Sequence, residues 1–223
     1  DPVKHKVIDI LPSRNTEDLC KHFLEYPYKE RAAVKKIVMD LSTLFRSVAK
    51  TMFPEAKIVA DKFHVIRVVI NSLENVRKRI QKEFHETKRK WFKRSRYLLL
   101  KPEYKLTSED KTELARMLNS SYDLEKAYVL KERFYEVFRK QTRTEAKKEL
   151  GKWLLLAADL SLPEFRHCIT TFSNWKTEIA NIIGERVSNG FIEGSNNKIK
   201  VLKRISYGVR NFDRFRNRIL YLE

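Results

Sequence analysis

Lys36-Ile37-Val38-Met39-Asp40 is a short apolar run that ends in an acid, and Lys57-Ile58-Val59-Ala60-Asp61 repeats it. Both runs are too short for a stable helix and carry β-branched residues, so each predicts a strand. Between them, Leu41 to Phe53 places Leu44, Phe45, Val48, Ala49 and Met52 at helical spacing, and Pro54 stops the pattern. Strand, helix, strand implies a βαβ unit and an α/β fold. In such sheets ligands bind at the carboxyl ends of the strands, where Asp40 and Asp61 stand. Asp is also a good helix N-cap, so each acid has a structural reading beside the functional one.

Upstream, Val3 to Leu11 is β-rich and is broken by Pro12-Ser13, which predicts another strand, with Asp9 on its solvent side. Thr16 to Tyr26 predicts a short helix, capped by Asn15 or Thr16 and ended by Pro27. Downstream, Lys62 to about Arg96 reads as one long helix, with His64, Val65, Val68, Val69, Leu73, Val76 and Ile80 on its apolar side. Its second half, Arg77 to Arg96, carries ten Lys/Arg against two Glu. That face could track phosphates or simply be solvated. Four more helical patterns follow, opening near Thr107, Leu124, Thr144 and Leu162. The expected organisation is a partial α/β core over residues 1–70, an all-helical insertion over 71–183, and a basic helical segment over 184–223 that completes the core.

In that last segment Asn189-Gly190 opens a helix whose apolar positions are Ile192, Ile199, Leu202 and Ile205. Glu193, Asn196, Asn197, Lys200 and Arg204 share roughly the opposite face. Glu193 in the first turn suits the helix dipole; it equally suits a metal ligand facing a phosphate backbone. Tyr207-Gly208 separates this helix from a final one bearing Phe212, Phe215, Ile219 and Leu220.

The whole chain has 223 residues and a net charge of +18, from 47 Lys/Arg against 29 Asp/Glu. Such an excess points to a polyanionic partner, nucleic acid before a membrane surface. No run of about 18 apolar residues and no signal peptide is present, so the expected setting is cytoplasmic, with no membrane partner. Two distant cysteines, Cys20 and Cys168, make no disulfide framework and no metal spacing. Asp40, Glu193 and Asp61 together offer carboxylate oxygens suited to Mg²⁺ or Mn²⁺. Paired divalent ions held about 3.5–4 Å apart act on phosphodiesters.

The segments Ile37–Asp40, Phe53–His64 and Ser188–Lys200, followed by Lys203-Arg204 and Tyr207–Phe212, resemble the ISL3-type transposases of bacterial insertion sequences. The resemblance runs from about Val7 to Leu220. It implies a DDE enzyme on an RNase H-like (retroviral-integrase-like) fold. Asp40 would be the second catalytic Asp and Glu193 the catalytic Glu, both binding metal. Asp61 and His64 match an Asp-x-Phe-His element with a supporting role, as would Asn196 and Asn197. Lys198, Lys200, Lys203, Arg204 and Arg210 would meet DNA phosphates. A homodimer and a nucleoid location are expected from the family analogy. The family's first Asp, in a phrase like Asp-Glu-Phe, does not occur here. The chain is therefore expected to be a carboxy-terminal fragment, inactive alone. The expected reaction of the whole protein is metal-dependent DNA cleavage and strand transfer. A non-catalytic basic DNA-binding module and a nuclease without strand transfer are the alternatives.

Overall fold

The computed structural model describes residues 6–185, 190–209 and 211–222. The chain divides into two compact units: residues 1–61 together with 186–223, and residues 62–185.

The first unit is built on two parallel strands, β1 (Lys36–Met39) and β2 (Lys57–Ala60). Lys36 pairs with Lys57, and the register runs through Ile37–Ile58 and Val38–Val59 to Met39–Ala60. β2 is the better covered strand, with Ile58, Val59 and Ala60 buried. The strands are joined through α3 (Thr43–Met52), which starts where Ser42 accepts a hydrogen bond from the Phe45 N–H at 3.3 Å. Val48, Ala49 and Met52 form its buried face. The α1 helix (Thr16–Leu24) is capped by Asn15, whose side chain accepts from the Asp18 N–H at 2.8 Å. It packs on α3, with Phe23 meeting Phe53 edge to face at 4.8 Å.

Pro27 ends α1 as expected, but it also opens a helix that the sequence pattern did not suggest, α2 (Tyr28–Ala33). Proline is well suited to a helix start. The Arg31 guanidinium then donates to the Met52 carbonyl at 2.8 Å, tying α2 to the end of α3.

Residues 6–11 form no strand, contrary to the reading of Val3–Leu11, whose first three residues lie outside the described residues. A strand requires a paired edge. Here the Asp9 carboxylate accepts from the Ile10 N–H and from Arg216 Nε, both at 2.6 Å. Arg216 belongs to α13 (Phe212–Tyr221), the last helix. Before it runs α12 (Gly190–Ile205). Tyr207 (φ 44°) and Gly208 (φ 84°) turn the chain between them, which is the break their sequence suggests. Lys198 Nζ donates to the Leu222 carbonyl at 2.9 Å and Arg218 to the Ser206 hydroxyl at 3.2 Å, so the two helices brace each other.

The second unit is built of helices and turns, with no strand among its described residues. Its spine is α4 (Lys62–Gln81), packed on α8 (Tyr122–Tyr135). The long basic helix expected over residues 62–96 is broken: α4 stops at Gln81 and α5 (Glu86–Arg94) begins after a turn. The turn brings Phe84 onto Phe92 at 4.8 Å, edge to face, and Phe92 is fully buried. A continuous helix would hold these two positions about 12 Å apart along its axis, so tertiary packing overrides local helix propensity. After α5 come α6 (Arg96–Leu100) and α7 (Ser108–Leu118). Lys131 of α8 is fully buried, and its ammonium donates to the Leu99 and Lys101 carbonyls at the end of α6 while pairing with Glu132 at 2.6 Å.

α9 (Arg143–Asp159) opens with a reciprocal Thr142–Glu145 capping box. The rest of the unit is α10 (Arg166–Asn174) and α11 (Lys176–Ala180). Phe134 stacks on Phe172 at 5.1 Å, and Trp153 meets Phe134 and donates its N–H to the Leu130 carbonyl at 2.8 Å. Phe134, Trp153, Phe165 and Phe172 are therefore core, whereas Phe63, Tyr97, Tyr104 and Tyr122 are exposed. No described helix is long and apolar enough to cross a membrane.

Candidate metal centre and nucleic-acid interface

Strand pairing sets the site. Met39 and Ala60 are partners in the parallel ladder, and the Asp61 N–H continues it to the Met39 carbonyl at 2.8 Å. Asp40 and Asp61 therefore leave the sheet side by side at its carboxyl end. Asp40 is exposed, while Asp61 is buried to 3% exposure. Asp40 also gives its backbone carbonyl to the Ser42 N–H at 2.7 Å, which starts the turn into α3. The N-cap of α3 is Ser42. The chain passes from Asp61 directly into the first turn of α4, which carries half-buried His64.

The result is a local cluster: one ligand atom from each of Asp40, Asp61 and His64 lies within 4.8 Å of the others. The donor set, two carboxylate groups and one imidazole, fits a hard or borderline divalent ion such as Mg²⁺ or Mn²⁺, with the nitrogen favouring Mn²⁺. Burial of Asp61 fixes one carboxylate, while exposed Asp40 leaves the other face open to a ligand. The Phe63 ring lies edge to face with the His64 imidazole, at 5.5 Å.

Glu193 lies on the described backbone of α12, but its side chain is outside the described residues, as is all of Arg210. Further along α12 the exposed residues include Asn196, Asn197, Lys198, Lys200, Lys203 and Arg204. Of the apolar stripe read from the sequence, Leu202 is buried and Ile199 half-buried, but Ile205 is exposed and the Ile192 side chain lies outside the described residues. Lys198 differs from its neighbours in being held by the Leu222 carbonyl. Lys200, Lys203 and Arg204 form an exposed cationic face suited to phosphate oxygens.

Asp9 was not among the candidate ligands. The Arg216 hydrogen bond, with help from the Ile10 N–H, holds its carboxyl below the usual carboxylate range, marking it as a structural ion pair. Cys168 is buried against the Ser72 hydroxyl at 3.2 Å, and burial pushes its thiol up to about 11, which suits packing and not nucleophilic chemistry.

Residues 1–219 match the family of DDE transposases of the ISL3 type, described as Transposase. The chain belongs to that family. Among the curated relatives of this ISL3-type transposase chain, it is 26% identical over 219 residues to the transposase for insertion sequence element IS1001 of Bordetella parapertussis, covering 96% of this chain and 54% of the relative. It is 27% identical over 206 residues to the transposase for insertion sequence element IS1557 of Mycobacterium tuberculosis, covering 82% of this chain and 46% of that one. The chain thus spans about half the length of these relatives. A shorter stretch of 94 residues is 36% identical to a Lactococcus lactis protein named ATP-dependent protease, covering 42% of this chain and 26% of that protein. No solved structure matches.

Proposed function

We propose that this chain forms part of the catalytic region of a DNA transposase that cleaves and joins DNA strands at the ends of an insertion sequence. The observation that carries the reading is the Asp40–Asp61–His64 cluster at the carboxyl ends of two parallel strands, in a chain of the ISL3 transposase family. In this reading β1 and β2 belong to an RNase H-like core, residues 1–70 and 184–223 contribute to that core, and residues 71–183 are a helical insertion.

Asp40 and Glu193 are the catalytic carboxylates and would hold Mg²⁺ or Mn²⁺. Such an ion supplies neutralisation and polarisation at the scissile phosphodiester. Asp61, fixed by burial, and His64 orient the site around Asp40. Asn196 and Asn197 share the exposed side of α12 and hydrogen-bond the substrate strand. Lys198, Lys200, Lys203, Arg204 and Arg210 hold phosphates, giving affinity without reading sequence. Transposition requires two DNA ends in one complex, so the reading includes a homodimer on DNA.

Product analysis tests it. The full-length protein, incubated with Mg²⁺, its element ends and a supercoiled target, should give nicked ends and joined strands. Nicks without joining would make it a nuclease. Neither product, with DNA still bound, would make it a DNA-binding module.

A further inference from the structure

One face of α4 is not used by the site described above. Phe63, Arg67, Asn71 and Asn75 recur at four-residue steps, Lys78 follows, and all five are exposed. With Arg96 of α6 they border a groove of about 570 Å³, floored by Ile66, Ile70 and Leu100. Phe63, half exposed, stands at one end, two residues after Asp61 in the chain. The Arg67 guanidinium lies over its ring at 5.9 Å from the centroid.

The groove is cationic. Its one acid, Glu74, is already bound through both carboxylate oxygens by Arg77, at 2.9 and 3.1 Å. Among the described residues Arg67, Lys78 and Arg96 form no ion pair. The face from Phe63 to Lys78 extends for about 22 Å at the rise of an α-helix. An apolar floor, a half-exposed aromatic ring at one end, amides and three cations along the rim suit a ligand with planar apolar rings and a repeating negative charge. That combination is the chemistry of a single nucleic-acid strand, whose bases stack and whose phosphates pair with Lys and Arg.

We propose that the α4 groove binds a single DNA strand, with a base stacked on Phe63 and phosphates along Arg67, Lys78 and Arg96. The inference rests on the DNA reading of the protein. It adds a strand-binding track on the helix that follows Asp61 in the chain.

Fluorescence anisotropy with a labelled single-stranded oligonucleotide, and with the duplex of the same sequence, tests it in the absence of divalent metal. Phe63→Leu keeps apolar bulk but removes the ring, and should weaken single-strand binding roughly tenfold, while Phe63→Trp should retain it. Replacing Arg67, Lys78 and Arg96 together by Gln should reduce the slope of log affinity against log salt by about 2, since each phosphate contact on a single strand contributes about 0.7. Duplex binding should change less in both variants. Wild-type single-strand affinity and salt slope in folded Phe63→Leu and triple variants would overturn the proposal. Because no metal and no cleavage enter the assay, that outcome would leave the catalytic reading standing; loss of cleavage products with groove binding intact would do the reverse.

Discussion

The Asp61 N–H bonds to the Met39 carbonyl at 2.8 Å, one position beyond the last paired residues of the two strands. This bond is why two acids separated by a helix in the sequence become neighbours. It gives a direct metal-binding prediction. Asp40→Asn and Asp61→Asn should each weaken Mn²⁺ binding by at least about tenfold, the range typical of altered metal-site partners, and His64→Ala should weaken it as well. Calorimetric titration of the folded variants checks this, and wild-type affinity in Asp40→Asn would contradict the site.

Acid should loosen the first unit through Asp9. Its carboxyl is held below the ordinary range chiefly by the Arg216 hydrogen bond, so the folded state binds the proton less readily than the unfolded chain. The pair therefore contributes stability above the ordinary carboxylate value of 3.8, and that contribution is lost as pH falls through the lowered folded value. Asp9→Asn should flatten this part of the stability–pH curve, measured by urea unfolding at a series of acidic pH values.

The helical unit should depend on its aromatic core. Trp153 is 2% exposed, donates to the Leu130 carbonyl and touches Phe134 and Phe172. Trp153→Ala should cost about 3–5 kcal/mol. The loss should show as a lower urea midpoint for unfolding.

Lys131 predicts an alkaline effect. Burial holds its ammonium below the ordinary value of 10.5, against the opposing pull of Glu132. The unfolded chain therefore binds the proton more readily, and stability should rise with pH between the lowered folded value and 10.5. Lys131→Met should remove that rise. It should also destabilise the protein by about 3–5 kcal/mol, because Glu132 loses its cation and two carbonyls lose their donor.

The strand–helix–strand unit was legible in the sequence because β-branched runs, a capped helix and Pro54 are all local signals. So was the break at Tyr207-Gly208, where a left-handed turn favours glycine. Three features were not. Residues 6–11 have strand composition, but pairing depends on a partner that composition does not specify. The break between α4 and α5 depends on Phe84 reaching Phe92, a tertiary contact inside a run of good helix formers. The closeness of Asp40 to Asp61 depends on strand register, which no spacing along the chain encodes. Phe63 and Arg67 were passed over in the sequence, although the four-residue steps from Phe63 through Asn75 are a readable signal once α4 is known to be a helix.

The central claim is that Asp40 and Glu193 act together on DNA. Its most direct test is to compare Asp40→Asn and Glu193→Gln with wild type in the full-length protein, measuring Mg²⁺-dependent cleavage at the element ends and DNA binding on the same samples. The account predicts that each substitution abolishes cleavage while binding stays at the wild-type level. Cleavage that survives either substitution would contradict it.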